Sequence, residues 1–206
     1  SYGLGILKST DGGSTWNSTG LIFAFPDITA IQKIIINPQN SKTIFAATSE
    51  GVFKSTNAGI TWRRPQNSLM AMDVVFNPQD TTMLYAAYGN LSSTPDPGIY
   101  ISYDAGDNWS QFANGLPPTQ NFGRTLLAIS PTNPSVIYAG VSDPATGASS
   151  VYKTTNSGNI WAQVSPPSFN YTAAQGWYDN VVAVDPTNPN HVFVSGFDIY
   201  ESINGG

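Results

Sequence analysis

The octapeptide Ser9-Thr10-Asp11-Gly12-Gly13-Ser14-Thr15-Trp16 comes back down the chain in close copies. It returns as Ser55-Thr56-Asn57-Ala58-Gly59-Ile60-Thr61-Trp62, as Ser102-Tyr103-Asp104-Ala105-Gly106-Asp107-Asn108-Trp109 and as Thr154-Thr155-Asn156-Ser157-Gly158-Asn159-Ile160-Trp161, and a fifth copy reads Ser202-Ile203-Asn204-Gly205-Gly206. The leading hydroxyls are 46, 47, 52 and 48 residues apart, a period that belongs to arrays and propellers.

Each position has a physical task. The Asp or Asn carries a side-chain oxygen that accepts backbone N–H groups just ahead, which favours a turn. Two residues on stands Gly13, Gly59, Gly106, Gly158 or Gly206, where a tight hairpin calls for positive φ. Trp16, Trp62, Trp109 and Trp161 can fold back over the hairpin and bury a large apolar surface, so each copy reads as a corner with its own lid. Asp11 and Asp104 are read as structural, because Asn57, Asn156 and Asn204 hold the same slot and an amide is neither a general acid nor a base.

These residues resemble the Asp-box, or BNR repeat, with its pattern Ser-x-Asp-x-Gly-x-Thr-Trp. The resemblance runs the length of the chain at one motif per repeat. It implies a β-propeller similar to those of sortilin-type receptors and of the tandem-propeller xyloglucan hydrolases, and related boxes occur in sialidases and in a photosystem assembly factor. Such membership fixes an architecture and leaves the function open.

Between boxes every repeat offers short β-branched and aromatic runs parted by turn residues: Ile28 to Ile36, Thr43 to Thr48, Gly51 to Ser55 and Thr61 to Arg64 in the first full repeat. Such runs are strands, and four antiparallel strands per period make one propeller blade. The expected fold is all-β: a single partial propeller over 1–206, with blades at about 1–20, 28–65, 70–112, 123–164 and 179–206, three complete and two partial. The first run of each blade is apolar on both faces, as in Ile34-Ile35-Ile36 and Val181-Val182-Ala183-Val184, which suits an inner strand packed on both sides. Seventeen expected strands are one too many for a closed ring of four blades. The expected parent is therefore a longer chain with seven or eight blades, whose remainder is the first partner of this segment.

Composition narrows the partners. Cysteine is absent, charged residues are 10%, and the net charge is −5. The eight Lys and Arg form no basic stripe, so nucleic acid is not an expected partner. No apolar run approaches the roughly eighteen residues of a membrane span, so no membrane insertion is expected. No cofactor and no metal are expected either. His191 stands alone, and Asp185-Pro186-Thr187-Asn188-Pro189-Asn190 reads as a turn like Asn37–Asn40 and Asn77–Asp80.

In an up-and-down blade the Asn/Asp-Pro turns and the boxes share one face. The opposite face gathers the variable loops Asn17–Asp27, Pro65–Leu69, Gly89–Pro97, Ala113–Gly123, Ser142–Ser149 and Ser165–Tyr178, where binding is usually built. Its aromatic residues suit sugar faces or a protein's anchors, and the binding candidates are Phe122, Arg124, Phe169, Tyr171, Trp177 and Tyr178. Arg124 and Asp179, each six residues before an inner strand ends, are expected as neighbours at the channel mouth. Asp73 lies deeper on the preceding blade.

No complete catalytic set is read. A sialidase resemblance would need three converging arginines, whereas Arg63, Arg64 and Arg124 are the only ones and the first two are adjacent. Glu50 and Glu201 are placed near corners between second and third strands. Asp73 and Asp179 are the only carboxylates on inner strands, hence the only catalytic candidates. The first expectation for function is a non-catalytic extracellular or cell-surface scaffold that binds protein or glycan through the variable-loop face. The alternative is part of a glycoside hydrolase resembling the xyloglucan-degrading tandem-propeller enzymes.

Overall fold

The computed structural model describes residues 3–89 and 96–206; most of the expected loop Gly89–Pro97 lies outside the described residues. Five antiparallel sheets follow one another along the chain. The first is a hairpin of β1 (Gly5–Lys8) and β2 (Asn17–Ile22), and the second holds β3 (Ile31–Ile36), β4 (Ile44–Thr48) and β5 (Gly51–Ser55). The third holds β6 (Ala71–Phe76), β7 (Leu84–Tyr88), β8 (Gly98–Ser102) and β9 (Ser110–Phe112). The fourth holds β10 (Thr125–Ile129), β11 (Ile137–Ser142), β12 (Ser149–Thr154) and β13 (Ala162–Gln163), and the fifth β14 (Val181–Val184), β15 (Val192–Ser195) and β16 (Ile199–Ser202). Strand order equals chain order in every sheet, so each is an up-and-down blade. Helix is confined, among the described residues, to the single 3-10 turns Phe25–Asp27 and Thr119–Asn121.

Residue size explains the stacking. The second strands β4 (Ile-Phe-Ala-Ala-Thr), β7 (Leu-Tyr-Ala-Ala-Tyr) and β11 (Ile-Tyr-Ala-Gly-Val-Ser) are buried at every position. Each lies between two other blades, and the small central residues let those sheets close in. Inner strand β6 packs against β3 and β10, and β10 against β14, so the four inner strands stand side by side in chain order. Apolar layers fill the gaps: Phe45, Val74 and Tyr88 between the second and third blades, Ile99, Leu127 and Trp161 between the third and fourth, Tyr138, Tyr171 and Val194 between the fourth and fifth. Burial of this kind stabilises by about 25 cal/mol per Å² removed from water.

Several expectations are corrected. The fourth strand expected at Thr61–Arg64 is only a bridge between Lys54 and Arg63, because Pro65 follows and has no N–H to extend the ladder. Sixteen strands and that bridge therefore stand, among the described residues, in place of seventeen. β2 runs to Ile22, so the last strand expected within 1–20 reaches two residues further, and the loop expected from Asn17 opens only after it. The inner strands at the two ends of their row, β3 and β14, are packed on one side only, with Ile34, Ile36 and Val181 exposed.

Candidate functional site

The boxes fold as their chemistry dictates. In the third copy Asp104 Oδ1 accepts the N–H of Asn108 at 2.8 Å and of Asp107 at 3.0 Å, while Ser102 Oγ accepts the N–H of Gly106 at 2.8 Å. The Asn108 contacts hold the Asp104 carboxyl well below the usual range, and the Thr15 contacts hold Asp11 at about 2. Copies with Asn keep the geometry: Asn57 Oδ1 accepts Thr61 N–H at 2.9 Å, as does Asn156 Oδ1 from Ile160. The box also uses a second left-handed residue ahead of its glycine, with φ of 59° at Ala58, 58° at Ala105 and 60° at Ser157. That residue donates its N–H to the Pro-turn side of its own blade, Ala58 to Lys42 O at 2.8 Å and Ala105 to Thr82 O at 2.7 Å. Boxes and Pro-turns thus share a face.

The lid reading of the tryptophans needs correcting. Trp161 is 2% exposed, whereas Trp16 is 61% exposed, although Trp16 Nε1 donates to Gly13 O as Trp62 does to Gly59 O. What covers the ring is the preceding blade: Trp161 packs with Ile99 and Ile101 of the third, and no blade precedes Trp16 among the described residues.

On the loop face, the segment Asn170–Asn180 is pinned at both ends. Tyr171 OH donates to Asn180 Oδ1 at 2.7 Å, and Asn180 Nδ2 donates to Gly140 O at 2.7 Å and Arg124 O at 3.2 Å. Burial pushes the Tyr171 phenol far above its ordinary value. Gly176 donates its N–H to Gly147 O, and a Cβ there would lie 2.4 Å from Ser149 Oγ, so only glycine permits this approach. The outcome is an exposed aromatic pair, Trp177 (45%) and Tyr178 (71%), with ring centroids 5.6 Å apart, immediately ahead of Asp179. Of the other binding candidates, Phe169 is half-buried and tilted on Tyr171 at 5.9 Å, while Phe122 and Tyr171 are core residues whose rings fill gaps between blades.

Asn180, next to Asp179, reaches the Arg124 carbonyl, but Arg124 and Asp179 form no ion pair within 4.0 Å among the described contacts. Instead Arg124 Nε, Asp179 Oδ1 and the neighbouring Ser142 Oγ are buried without a hydrogen-bond partner. Burial lowers the Arg124 guanidinium, opposed by the charge of Asp73. Unpaired buried polar atoms are costly.

Asp73 is placed differently. It is 2% exposed, and its oxygens accept Lys33 Nζ at 2.6 Å and the N–H groups of Val74 and Leu127 at 2.8 Å each. Its burial pushes the carboxyl up, against the pull of Lys33. It ties β3, β6 and β10 together, with bulges in β3 and β6 just ahead of Lys33 and Asp73 turning both side chains to meet. Apolar periodicity carries no sign of this, since a bulge cannot be read from it.

Two further placements differ from expectation. Glu201 lies at the box end of β16, opposite Phe193, and not at a corner between strands. His191 is not alone: Nδ1 is 3.2 Å from Asp185 Oδ2 and Nε2 is 3.3 Å from Glu201 Oε2. No group of three metal-ligating side chains exists among the described residues. Asp185 Oδ1 accepts the N–H groups of Thr187 and Asn188, as a turn requires. Arg63 joins Asp107 of the next box, and Arg64 turns to Glu50 O at 2.8 Å, so the arginines diverge. No helix of the described residues is long and apolar enough to cross a membrane.

The sequence model of the family described as Sortilin, neurotensin receptor 3 matches residues 5–116. A xyloglucanase of Acetivibrio thermocellus is 27% identical over 77% of this chain and 16% of its own length. A xyloglucanase of Hypocrea jecorina is 23% identical over 79% of this chain and 23% of its own. The GH74 xyloglucanase of Xanthomonas campestris superposes with a TM-score of 0.76 at 20% identity, over 98% of this chain and 34% of that structure, which shows the fold. The chain spans less than a quarter of these curated relatives.

Proposed function

The chain belongs to the family described as Sortilin, neurotensin receptor 3, and from its similarity to xyloglucanases we propose that it forms part of a larger propeller in a glycoside hydrolase acting outside the cell on a β-glucan of the xyloglucan type. The observation that carries this reading is the run Trp177-Tyr178-Asp179 on the loop face, with both rings exposed and Asp179 Oδ1 without a partner, in a chain whose curated relatives are xyloglucanases. Flat rings offer stacking to a glucan backbone, and Asp179, next to them in the chain and with a buried Oδ1 that has no hydrogen-bond partner, is the carboxyl we assign to acid or base work. Hydrolysis needs two carboxyl groups across the bond. Asp73 has its oxygens engaged and no access, so this segment contributes one, and the second comes from outside it. A polymeric substrate of this kind is met outside the cell.

The test is reducing-sugar release from xyloglucan by the intact protein. Asp179→Asn should lower kcat by at least about 100-fold, roughly the contribution of one acid-base group, with the fold unchanged. Full activity in that variant would remove Asp179 from the mechanism. A second reading, a non-catalytic scaffold binding glycan or protein through the same face, is favoured by the match to a receptor family. It takes over if the intact protein retains xyloglucan on Trp177 and Tyr178 and releases no sugar from any β-glucan.

A further inference from the structure

The backbone that carries Asp179 is held on both sides. Ahead of it, the N–H groups of Tyr178 and Asp179 both donate to Gln175 O, at 2.8 Å and 3.1 Å. Behind it stands Asn180, 1% exposed, whose amide is engaged through both of its atoms. Its Oδ1 accepts Tyr171 OH at 2.7 Å, while its Nδ2 donates to Gly140 O in β11 at 2.7 Å and to Arg124 O ahead of β10 at 3.2 Å. Tyr171 is also 1% exposed, and its carbonyl accepts Phe197 N–H at 3.3 Å from the fifth blade. The buried Tyr171–Asn180 couple therefore ties Asp179 to two blades at once. The strand beside it departs from the repeat at this point. Opposite Val52 in β5 and Ile99 in β8 the second strands carry Ala47 and Ala87, whereas opposite Val151 in β12 stands Gly140. A Cβ at 140 would lie 2.6 Å from both Asn180 Oδ1 and Tyr171 OH. Gly140 has no left-handed φ, so the missing methyl serves the approach of the couple and not the path of the strand.

We propose that Tyr171 and Asn180 are positioning residues, whose buried hydrogen bond fixes the backbone from which Asp179 is presented. Both are too deeply buried to meet a substrate themselves, so any effect on a reaction passes through Asp179. Burying a phenol and an amide is costly unless each is paired, and a fully paired buried network holds a single arrangement. Burial first, and after it the charge of Asp179, push the Tyr171 phenol up, so the carboxyl lies within electrostatic reach of the couple. An acid-base group loses rate steeply when it is misplaced, by as much as about 100-fold for 1 Å. The inference rests on the assignment of Asp179 to acid or base work and names what holds that residue in place.

Two variants of the intact protein test it. Tyr171→Phe removes one hydroxyl and keeps the ring, and Gly140→Ala adds the methyl that β4 and β7 already carry at the same slot. Amide hydrogen exchange reads the positioning directly. In both variants the amides of Tyr178 and Asp179 should exchange at least about tenfold faster, while those of β10 and β14 keep their wild-type rates. Kinetics on xyloglucan, measured well below each melting temperature, should show kcat lowered by about tenfold with KM unchanged. The double variant should lose no more than either single one, because both act on the same hydrogen bond. Unchanged exchange at Tyr178 and Asp179 overturns the proposal, and so does faster exchange spread evenly over β10, β11 and β14, which would mark a merely structural role. A wild-type kcat in both variants beside an inactive Asp179→Asn protein overturns it as well. Should Asp179→Asn retain full activity, the acid-base assignment fails by itself, and the exchange rates still decide whether the couple holds this backbone.

Discussion

At the scale of single residues, the boxes show how a slot tolerates Asp and Asn alike. In the first copy Thr15 Oγ1 donates to Asp11 Oδ2 at 2.6 Å, and in the second Asn57 Nδ2 donates to Thr61 Oγ1 at 2.8 Å. The hydroxyl simply reverses its role. Asp11→Asn should therefore leave the melting temperature near wild type at pH 7, and Asp104→Ala, which strands the turn N–H groups at an exposed site, should cost about 1 kcal/mol. Acid separates the two chemistries. Asp11 has a folded value of about 2 against 3.8, so its stabilisation is present above the unfolded value and is lost as pH falls through the folded one. Melting temperatures between pH 4 and pH 2 should fall less steeply in an Asp11→Asn, Asp104→Asn double variant than in wild type. The tryptophans follow burial, not motif position: Trp161→Ala should cost roughly 3–5 kcal/mol, and Trp16→Ala under about 1 kcal/mol, by denaturant midpoint. The turn chemistry was legible in the sequence because it is local. The burial of each ring was not, since the blade that covers Trp161, through Ile99 and Ile101, lies some 60 residues earlier in the chain.

At the scale of elements, alternation and turn residues sufficed to locate nearly every strand, and what escaped were the exceptions to periodicity. Pro65 cut short a fourth strand, and the bulges ahead of Lys33 and Asp73 rotated two side chains toward each other. The consequence for Asp73 is a structural task. Asp73→Ala would leave the Leu127 N–H and Lys33 without their acceptor across three blades, at a cost of about 3 kcal/mol. Asp73→Asn keeps an acceptor for Leu127 and should cost less, with kcat of the folded fraction unchanged. A folded Asp73→Asn protein with kcat reduced a hundredfold would return Asp73 to the catalytic candidates. The pinned loop is a similar case: its exposed rings were visible as Trp177-Tyr178, but Tyr171 and Phe122, equally aromatic and equally placed in loops, turn inward. Composition alone does not say which way a loop ring faces.

At the scale of the whole molecule, both flanks of the blade stack are apolar, with Leu4, Leu7 and Ile22 exposed on one and Phe197, Ile199 and Ile203 on the other. Exposed apolar side chains in this number seek a cover. The 206-residue chain by itself should associate, and Ile199→Lys should shift its sedimentation toward the monomer; a monodisperse wild-type monomer would show that these flanks are inert. Between the flanks each box after the first leans one way. Gly59 sits on Thr19, Gly106 on Phe45, Gly158 on Ile101 and Gly206 on Val164, in each case on the blade that comes earlier in the chain. A ribosome delivers that earlier blade first. Each new corner thus finds its seat already made, so the stack can be laid down vectorially during synthesis, and removing blades from the C-terminal side should leave the remainder better packed than removing the same number from the N-terminal side.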